Sequence, residues 1–336
     1  MKEAMFWERM DNGKVSCGLC RHHCVIAEGK TGIGGVRQNK GGILYTHAYG
    51  RAISAAVDPI EKKPLYHFLP GTGALSIATV GCNFRCLHCQ NYQISQAPRM
   101  GGRVLGDDMP PQRVVTAARE SGCDTISYTY TEPTIFFEYA YDTAKLAVEA
   151  GLKNTFVTNG YITPVALRKI RPFLHAANID LKFFTEQAYQ EICGARLQPV
   201  LDAIQLYHDL GIWIEITTLI IPNHNDSDHE LRQIAEFVAG VDPTVPWHIS
   251  AYHPAYKLKD QPRTPREVID RARELGLAAG LKYVYPGNVI RAEGQETSCP
   301  SCGTTVIERL GYRILVTELK DGKCGKCGEP IQGVWK

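Results

Sequence analysis

Short apolar runs alternate with longer amphipathic stretches from residue 74 almost to residue 290. Short runs bounded by turn residues are typical of buried strands, and apolar residues at helical spacing are typical of helices. The predicted strands are 74–80, 124–130, 154–158, 177–181, 212–219, 246–250 and 282–285. The helical stretches between them include Arg113–Glu120, Ile135–Ala150 and Leu197–Leu210. Strands that alternate with helices indicate a parallel sheet, so the pattern predicts an α/β fold, a barrel or an open, partial barrel of about six βα units.

Two of the later helices carry start signals. Ser227 stands three residues before Glu230, and Thr264-Pro265 stands three residues before Glu267. Both spacings match a capping box, in which the first side chain accepts a hydrogen bond from a backbone amide of the new helix. We therefore expect helices to begin just after Ser227 and Thr264.

The stretch from residue 57 to 71 differs in composition from the alternating region. Its prolines argue against a helix, and its aromatic residues argue against a solvated linker. It predicts a loop packed against the barrel entrance, with Lys62, Lys63 and His67 as candidate site residues.

Polar or reactive residues close most of the predicted strands. They are the loop Cys82–Cys89, Tyr128–Pro133, Thr158–Tyr161, Asp180–Lys182, then Glu215, Thr217 and Thr218, and finally His248, Ser250, Tyr252 and His253. The carboxyl ends of parallel strands meet at one rim, where barrel enzymes have their active sites. Thr217 or Ser250 alone is more simply a core polar group. The whole series predicts a site at the rim.

Composition and charge exclude some classes of function. The 336 residues are 44% hydrophobic and 21% charged, and the net charge is only +2. This balance supports a large core and gives no global field for nucleic acid or membrane surfaces. No apolar stretch approaches the roughly 20 residues that span a bilayer. The first residues lack the apolar core of a signal peptide, so we expect a cytoplasmic protein.

The cysteines point to metal chemistry, because cytosolic chains rarely use disulfides. Cys82, Cys86 and Cys89 follow the first predicted barrel strand at C-x3-C-x2-C spacing. A cubane cluster needs four ligands, so three thiolates on one loop leave one iron open for another molecule. The alternatives are a zinc knuckle, which usually has four ligands, or three buried thiols. The spacing favours the cluster.

A second group of cysteines lies near the beginning of the chain. Cys17, Cys20 and Cys24 have C-x2-C-x3-C spacing, which suits zinc or a second iron–sulfur cluster. The fourth ligand is missing locally, although His22, His23 or His47 could supply it. A reduced, metal-free group of thiols explains the pattern equally well.

The last residues predict a small metal-dependent unit. Cys299 and Cys302 form one C-x2-C-G knuckle, and Cys324 and Cys327 form another. Four thiolates in two knuckles make a closed tetrahedral site, so we expect a zinc ribbon, with rubredoxin-type iron as the alternative. The sequence thus divides into a cysteine-bearing segment with the packed loop (1–73), a barrel (74–292) and a zinc-ribbon-like tail (293–336).

With these motifs placed, the chain resembles the radical S-adenosylmethionine (SAM) enzymes of the AmmeMemoRadiSam system. These are related to the activating enzymes of glycyl-radical enzymes, such as the pyruvate formate-lyase activating enzyme. The resemblance rests on the Cys82–Asn91 motif, the Asp58–Gly71 segment, the strand-end residues and the outer cysteines. It implies a partial (β/α)6 radical SAM barrel with a 4Fe–4S cluster on Cys82, Cys86 and Cys89.

The resemblance also implies positions for SAM. Thr131 and Glu132 stand where the superfamily contacts the methionyl amine, although the usual two glycines are absent. Asn159 ends the next strand, Asp180 and Lys182 match a pair that contacts ribose and carboxylate, and His248 lies where related enzymes approach the adenosyl group. One departure concerns the first segment, because the family's further cysteine at Gly32–Arg37 corresponds to Gly34 here.

The function implied by the resemblance is reductive cleavage of SAM to a 5′-deoxyadenosyl radical that abstracts hydrogen from a substrate. The expected partners are SAM, a reductant such as flavodoxin or ferredoxin, and a protein substrate or a Memo/AMMECR-type protein of the same system. Two alternatives stay open from the sequence: a radical SAM RNA-modifying enzyme, which no basic–aromatic patch supports, and a non-catalytic metal-binding scaffold.

Overall fold

The computed structural model describes residues 1–289 and 294–336. The first strands are β1 Lys2–Glu3, β2 Trp7–Arg9, β3 Val15–Cys17, β4 Val25–Ile26, β5 Arg37–Lys40, β6 Ile43–Thr46 and β7 Arg51–Ala52. The middle of the chain forms β8 Ser54–Pro59, β9 Gly73–Ala78, β10 Asp107–Asp108, β11 Thr125–Tyr128, β12 Lys153–Thr158, β13 Ala176–Asp180, β14 Trp213–Ile220, β15 Trp247–Ala251 and β16 Val284–Gly287. The tail contains β17 Thr297–Ser298, β18 Thr305–Leu310, β19 Arg313–Thr317, β20 Leu319–Lys320 and β21 Lys323–Cys324.

The helices lie mostly between the central strands. They are α1 Tyr92–Ser95, α2 Pro111–Glu120, α3 Phe137–Glu149, α4 Pro164–Ile170, α5 Glu186–Ala188, α6 Gln198–Asp209, α7 Asp228–Val241 and α8 Arg266–Ala278. The three predicted helices are confirmed as α2, α3 and α6. Within the described ranges, no helix combines the length and the apolar character needed to cross a membrane.

The central sheet confirms the predicted α/β barrel. Its strand order is β16-β15-β14-β13-β12-β11-β9-β8. The pairs from β9 through β16 are parallel, and helices α2, α3, α4, α6, α7 and α8 separate them as six βα units. All seven predicted strands are present. Because the strands are parallel, their carboxyl ends meet at one rim.

The edge strand β8 was not predicted. It pairs antiparallel with β9, with Val57 opposite Leu75 and Pro59 opposite Gly73. The sequence predicted a loop beginning at residue 57, so the prediction is wrong for residues 57–59. Pro59 ends the strand. The alternating run before it is short, and the prolines that follow it favoured a loop in the sequence pattern.

The two predicted helix starts have different outcomes. Ser227 caps α7 as expected, since its Oγ accepts from the amide of Glu230 at 3.3 Å. Thr264 does not cap α8, and this prediction is wrong. Its Oγ1 instead accepts from the amide of Tyr252 and donates to the carbonyl of Ile220, so a tertiary contact takes the place of the cap.

The segment after β8 enters the barrel rather than covering it. Glu215, fully buried on β14, accepts hydrogen bonds from the backbone amides of Tyr66 and His67 at 2.9 and 2.8 Å. The same carboxylate accepts from Trp213 Nε1 at 3.1 Å and contacts His248 Nε2 at 2.6 Å. One buried acid on the sheet therefore holds the segment in place.

The tail packs directly on the barrel beside this segment. Arg309 on β18 donates to the carbonyl of Tyr66 at 2.8 Å and lies over its ring, 4.4 Å from the centroid. His67 contacts the carbonyl of Gln332 at 2.7 Å, and Val334 exchanges backbone hydrogen bonds with the chain at His67 and Leu69. His67, a candidate site residue, therefore lies under the tail and not in the rim cleft described below.

The division into three units stays a prediction. Two structural facts bear on it: β8, within residues 1–73, belongs to the central sheet, and the tail shares a buried cluster with Tyr66, Tyr283 and Tyr285. The proposed boundary between residues 292 and 293 lies outside the described residues.

Candidate cluster and cofactor site

A cleft of about 320 Å³ opens at the rim where the parallel strands end. The predicted site residues that line it are Cys82, Cys86, Cys89, Thr131, Glu132, Asn159, Asp180 and Lys182, together with Thr217 and Ser250. The structure thus brings side chains from six strand ends around one space, as the polar pattern along the chain predicted.

The loop that carries the three cysteines has a fixed backbone. Gly81 has φ +100°, and a Cβ there would lie 2.7 Å from the carbonyl oxygen of Gly34, so only glycine fits. The amides of Arg85 and Leu87 donate to the carbonyls of Cys193 and Ile192 at 2.9 and 3.0 Å. These contacts present the cysteine side chains to the cleft.

The donors around the thiols fit an iron–sulfur cluster. The amide of Phe84 points at Cys82 Sγ at 3.4 Å, Asn159 Nδ2 lies 3.9 Å from the same sulfur, and Ser95 Oγ lies 3.2 Å from Cys89 Sγ. Hydrogen bonds to sulfur stabilise and tune such clusters. Burial raises the pKa of the Cys82 and Cys89 thiols, so metal binding at this loop releases protons.

Glu132 is buried in the turn that follows β11, and hydrogen-bond donors of the protein hold its carboxylate. Oε1 accepts from the amide and hydroxyl of Thr134 and from Thr158 Oγ1, while Oε2 accepts from the amide of Asn159 at 2.8 Å. Burial raises its pKa, although these donors oppose the rise. Oε1 is saturated, and Oε2 keeps room for one further donor from the cleft.

Thr131 and Asn159 are fixed by hydrogen bonds, most of them to residues far away in the chain. Thr131 Oγ1 donates to the carbonyl of Thr79 at 2.9 Å. Asn159 Nδ2 donates to Asn83 Oδ1 at 2.7 Å, and its own Oδ1 accepts from the amide of Tyr161. Asn159 therefore links the end of β12 to the cysteine loop.

Asp180 and Lys182 face the cleft as a pair. Lys182 Nζ lies 2.7 Å from Asp180 Oδ2, and Leu181 between them is fully buried. The predicted alternation at the end of β13 is confirmed. Burial disfavours the charged lysine, but attraction to Asp180 and to nearby cysteines outweighs it and raises the Lys182 pKa well above its ordinary value.

His248 occupies a different place from these residues. It is buried beside Glu215, meets the ring of Tyr66 edge-on at 4.8 Å, and lines a neighbouring cavity with Ser250 and Asn288. Ser250 and Asn288 also line the main cleft, so the two spaces are adjacent. The adenosyl contact of His248 stays a prediction.

The sequence named Asp58 and Tyr130 only within longer segments and did not indicate the contact between them. Asp58 Oδ2 accepts from Lys63 Nζ at 2.6 Å and from the hydroxyl of Tyr130, and Oδ1 accepts from Lys62 Nζ at 2.7 Å. Lys62, Lys63 and Tyr130 line the cleft, so the structure places the two lysines beside the candidate site, and their role there stays a prediction. The backbone of Tyr130 has a positive φ of +61°, and no local sequence pattern predicts this conformation.

The tail cysteines converge as predicted. The Sγ atoms of Cys299 and Cys327 are 3.5 Å apart, those of Cys302 and Cys324 are 3.8 Å apart, and all four lie within 4.8 Å of one another. This arrangement suits a single metal ion with four thiolate ligands.

The cysteines of the first segment surround a second, small cavity. Cys17, Cys20 and Cys24 line it with Gly34 and Asn83. The histidines considered as fourth ligands are engaged elsewhere or exposed: His22 Nε2 contacts the carbonyl of Asn83, His47 Nε2 contacts Gln38, and His23 is exposed.

Comparison with known proteins adds to this geometry. Residues 76–238 match the family model of the Radical SAM superfamily. An uncharacterized protein of Methanocaldococcus jannaschii is 46% identical over 334 residues, covering 98% of this chain and 99% of that protein. A pyruvate formate-lyase-activating enzyme of Clostridium pasteurianum is 22% identical over 177 residues, covering 52% of this chain and 72% of that enzyme. The crystal structure of a radical SAM methyltransferase from Sphaerobacter thermophilus is similar in fold, with a TM-score of 0.52, 16% identity, and coverage of 68% and 71% of the two chains.

Proposed function

Because the chain belongs to the radical SAM superfamily, we propose that it is an oxidoreductase of the activating-enzyme type, with its 4Fe–4S cluster on Cys82, Cys86 and Cys89. When bound, the reduced cluster supplies the electron that cleaves SAM to methionine and a 5′-deoxyadenosyl radical, which takes hydrogen from a substrate. The observation that carries this proposal is the cleft itself, where the three thiols and the polar strand ends face one space.

The chain's own residues bind and orient SAM in this proposal. Glu132 Oε2 accepts from the methionyl amine, since that oxygen has one free acceptor position. The Asp180 carboxylate accepts from a ribose hydroxyl, and Lys182 pairs with Asp180 at 2.7 Å while adding a positive charge near the sulfurs. Thr131 and Asn159 line the cleft together with Glu132 and Asp180. His248 approaches the adenosyl group from the adjacent cavity.

The proposed substrate is a protein, such as a Memo/AMMECR-type partner of the same system. One support is the similarity to a pyruvate formate-lyase-activating enzyme. The other is that Lys62 and Tyr312, which line the cleft, are half-exposed and so accessible to a protein surface. A flavodoxin or ferredoxin is the proposed reductant, and the cytoplasm the proposed compartment. The tail metal is proposed to be zinc.

Two measurements on the anaerobically reconstituted protein test the function. A SAM titration followed by the cluster's electron paramagnetic resonance (EPR) spectrum is expected to saturate, and an unchanged spectrum would favour the scaffold alternative. Candidate proteins labelled with deuterium are then supplied. Transfer of label into 5′-deoxyadenosine identifies the substrate class, and label that stays in every protein tested would contradict a protein substrate.

We expect Asp180→Asn to weaken SAM binding without unfolding the chain. The amide keeps the shape of the carboxylate but loses its charge, at a cost on the order of 1–3 kcal/mol in SAM binding. The control is Asp270→Asn on the exposed face of α8. For both variants, isothermal titration calorimetry measures the affinity for SAM and thermal melting measures the stability of the fold. Normal SAM affinity in a destabilised Asp180→Asn variant would mean that the pair with Lys182 is only structural.

Removal of the tail metal is expected to unfold the tail and to leave the cluster loop loaded. Structural zinc sites supply about 10–16 kcal/mol of binding free energy in zinc-finger peptides. The double variant Cys302→Ser, Cys327→Ser should lose one metal per chain and become sensitive to protease after residue 294, with iron at Cys82 unchanged. Wild-type protein that holds neither zinc nor iron in the tail would contradict this reading.

A further inference from the structure

A basic groove of about 380 Å³ lies beside the cysteine loop and is separate from the rim cleft. Arg21, Arg85 and Arg196 line it, together with Tyr161 and Gly194. It shares no lining residue with the cleft, and none of the described residues that line it is acidic. In a chain whose net charge is only +2, three arginines around one groove produce a local positive field.

The charges of these arginines are only partly compensated. Arg21 Nη2 lies 3.9 Å from an Asp202 carboxylate oxygen, which is a distant contact. Arg85 and Arg196 are exposed and form no ion pair within the described ranges, although the Glu186 carboxylate attracts Arg196. The groove can therefore accept carboxylates from another molecule.

Arg85 belongs to the cysteine loop, but it lies in the groove and not in the cleft. Its neighbours Phe84 and Cys86 are buried and line the cleft, whereas Arg85 is exposed. The Arg85 side chain lies across Gly194, where an added Cβ would be 2.3 Å from Arg85 Nε. Its amide donates to the carbonyl of Cys193 at 2.9 Å. The loop proposed to hold the cluster thus presents a positive charge to the groove.

One layer of aromatic side chains separates the groove from the cleft. Phe84, which lines the cleft, meets Tyr161, which lines the groove, with ring centroids 5.1 Å apart. His22, also in the groove wall, has its ring 4.7 Å from that of Tyr161 and contacts the carbonyl of Asn83 at 2.9 Å. A protein seated on the groove would therefore lie close to the cysteines without entering the space proposed for SAM.

We propose that this groove is the docking surface for the electron carrier, a protein with an acidic patch around its redox group. The inference rests on the proposed function, because it assumes a cluster on Cys82, Cys86 and Cys89. Carboxylates of the carrier complement the arginines, and electron-transfer contacts of this kind have small interfaces that depend on charge. The carrier loses one electron, which reduces the cluster, and no bond forms or breaks in this step.

Binding of oxidised flavodoxin, an acidic carrier, tests the docking surface without relying on SAM chemistry. The double variant Arg21→Gln, Arg196→Gln removes two charges outside the cysteine loop and should weaken flavodoxin binding about fivefold at low salt. The matched control Arg119→Gln, Arg232→Gln, at exposed positions of α2 and α7, should bind like wild type. Isothermal titration calorimetry measures the affinity. Added salt should weaken binding to wild type, because it screens exposed charges.

Reduction of the cluster provides a second readout. With photoreduced flavodoxin, the EPR signal of the reduced cluster should appear about tenfold more slowly in the double variant than in wild type, because steering by charge is lost. Dithionite, a small reductant that needs no docking surface, should give the same signal in both proteins. Absence of SAM cleavage by dithionite-reduced wild type would count against the proposed function and not against the docking surface.

Three results would overturn the proposal. The first is unchanged flavodoxin affinity in a folded double variant, and the second is equal slowing with dithionite, which would mean that the arginines act on the cluster itself. The third is wild-type protein that binds a transfer-RNA pool but not flavodoxin, which would assign the groove to nucleic acid. If the double variant does not fold, Arg196→Gln at its exposed position replaces it, and unchanged affinity there would also overturn the proposal.

Discussion

Replacing Cys82, Cys86 and Cys89 together by Ala is expected to abolish SAM cleavage and to remove about four iron per chain. The loop is held by backbone contacts to Cys193 and Ile192 that do not involve the thiols, so the barrel should remain folded. The measurement is iron content together with 5′-deoxyadenosine formed from SAM under a strong reductant.

The matched control for this triple variant is Cys123→Ala, which should retain both iron and cleavage. Circular dichroism of the triple variant checks that its fold persists. Cleavage at the wild-type rate by a folded triple variant would contradict the assignment of these cysteines.

Glu215→Ala is expected to cause the largest loss of stability among single substitutions at the barrel. It leaves the amides of Tyr66 and His67 and the side chains of Trp213 and His248 without their acceptor. Breaking such a buried network costs on the order of 3–5 kcal/mol in the free energy of unfolding. Chemical denaturation at neutral pH measures it, with Glu236→Ala on the exposed face of α7 as control.

The pH dependence gives this prediction a second readout. Burial opposes the charge of Glu215, but the contact with His248 and the amide donors outweighs it and lowers the Glu215 pKa below its ordinary 4.5. A lowered pKa stabilises the folded state above the unfolded-state value, and the stabilisation disappears as the pH falls through the folded-state value. The difference between wild type and Glu215→Ala should therefore shrink below pH 4.5. Equal stability of the two at pH 7 would contradict the anchoring role.

The sequence predicted the barrel because its strands and helices leave local patterns. The runs at 177–181 and 246–250 are short, and their position between helices implies parallel pairing. Asp180 and Lys182 could be placed on one face because side chains alternate along a strand. The rim cleft followed from the parallel arrangement alone.

What could not be predicted depends on contacts between residues far apart in the chain. Asp58 and Tyr130 meet across 72 residues, and Tyr66 reaches Glu215 across 149. The prolines of the segment indicated a loop, so β8 was not predicted. The predicted cap at Thr264 is wrong because its hydroxyl donates to the carbonyl of Ile220, which is distant in the chain. Cys193, isolated in the sequence, lies beneath the cluster loop, where its thiol and burial together raise the Cys86 pKa well above the usual value.

The most direct test of the proposed reaction is the product of SAM in the presence of the reduced, reconstituted protein. Chromatography with mass detection should show 5′-deoxyadenosine and methionine formed in equal amounts, in proportion to protein carrying the Cys82 cluster. The same protein in its oxidised state should form neither. Protein with a full cluster and bound SAM that yields no 5′-deoxyadenosine on reduction would contradict the account.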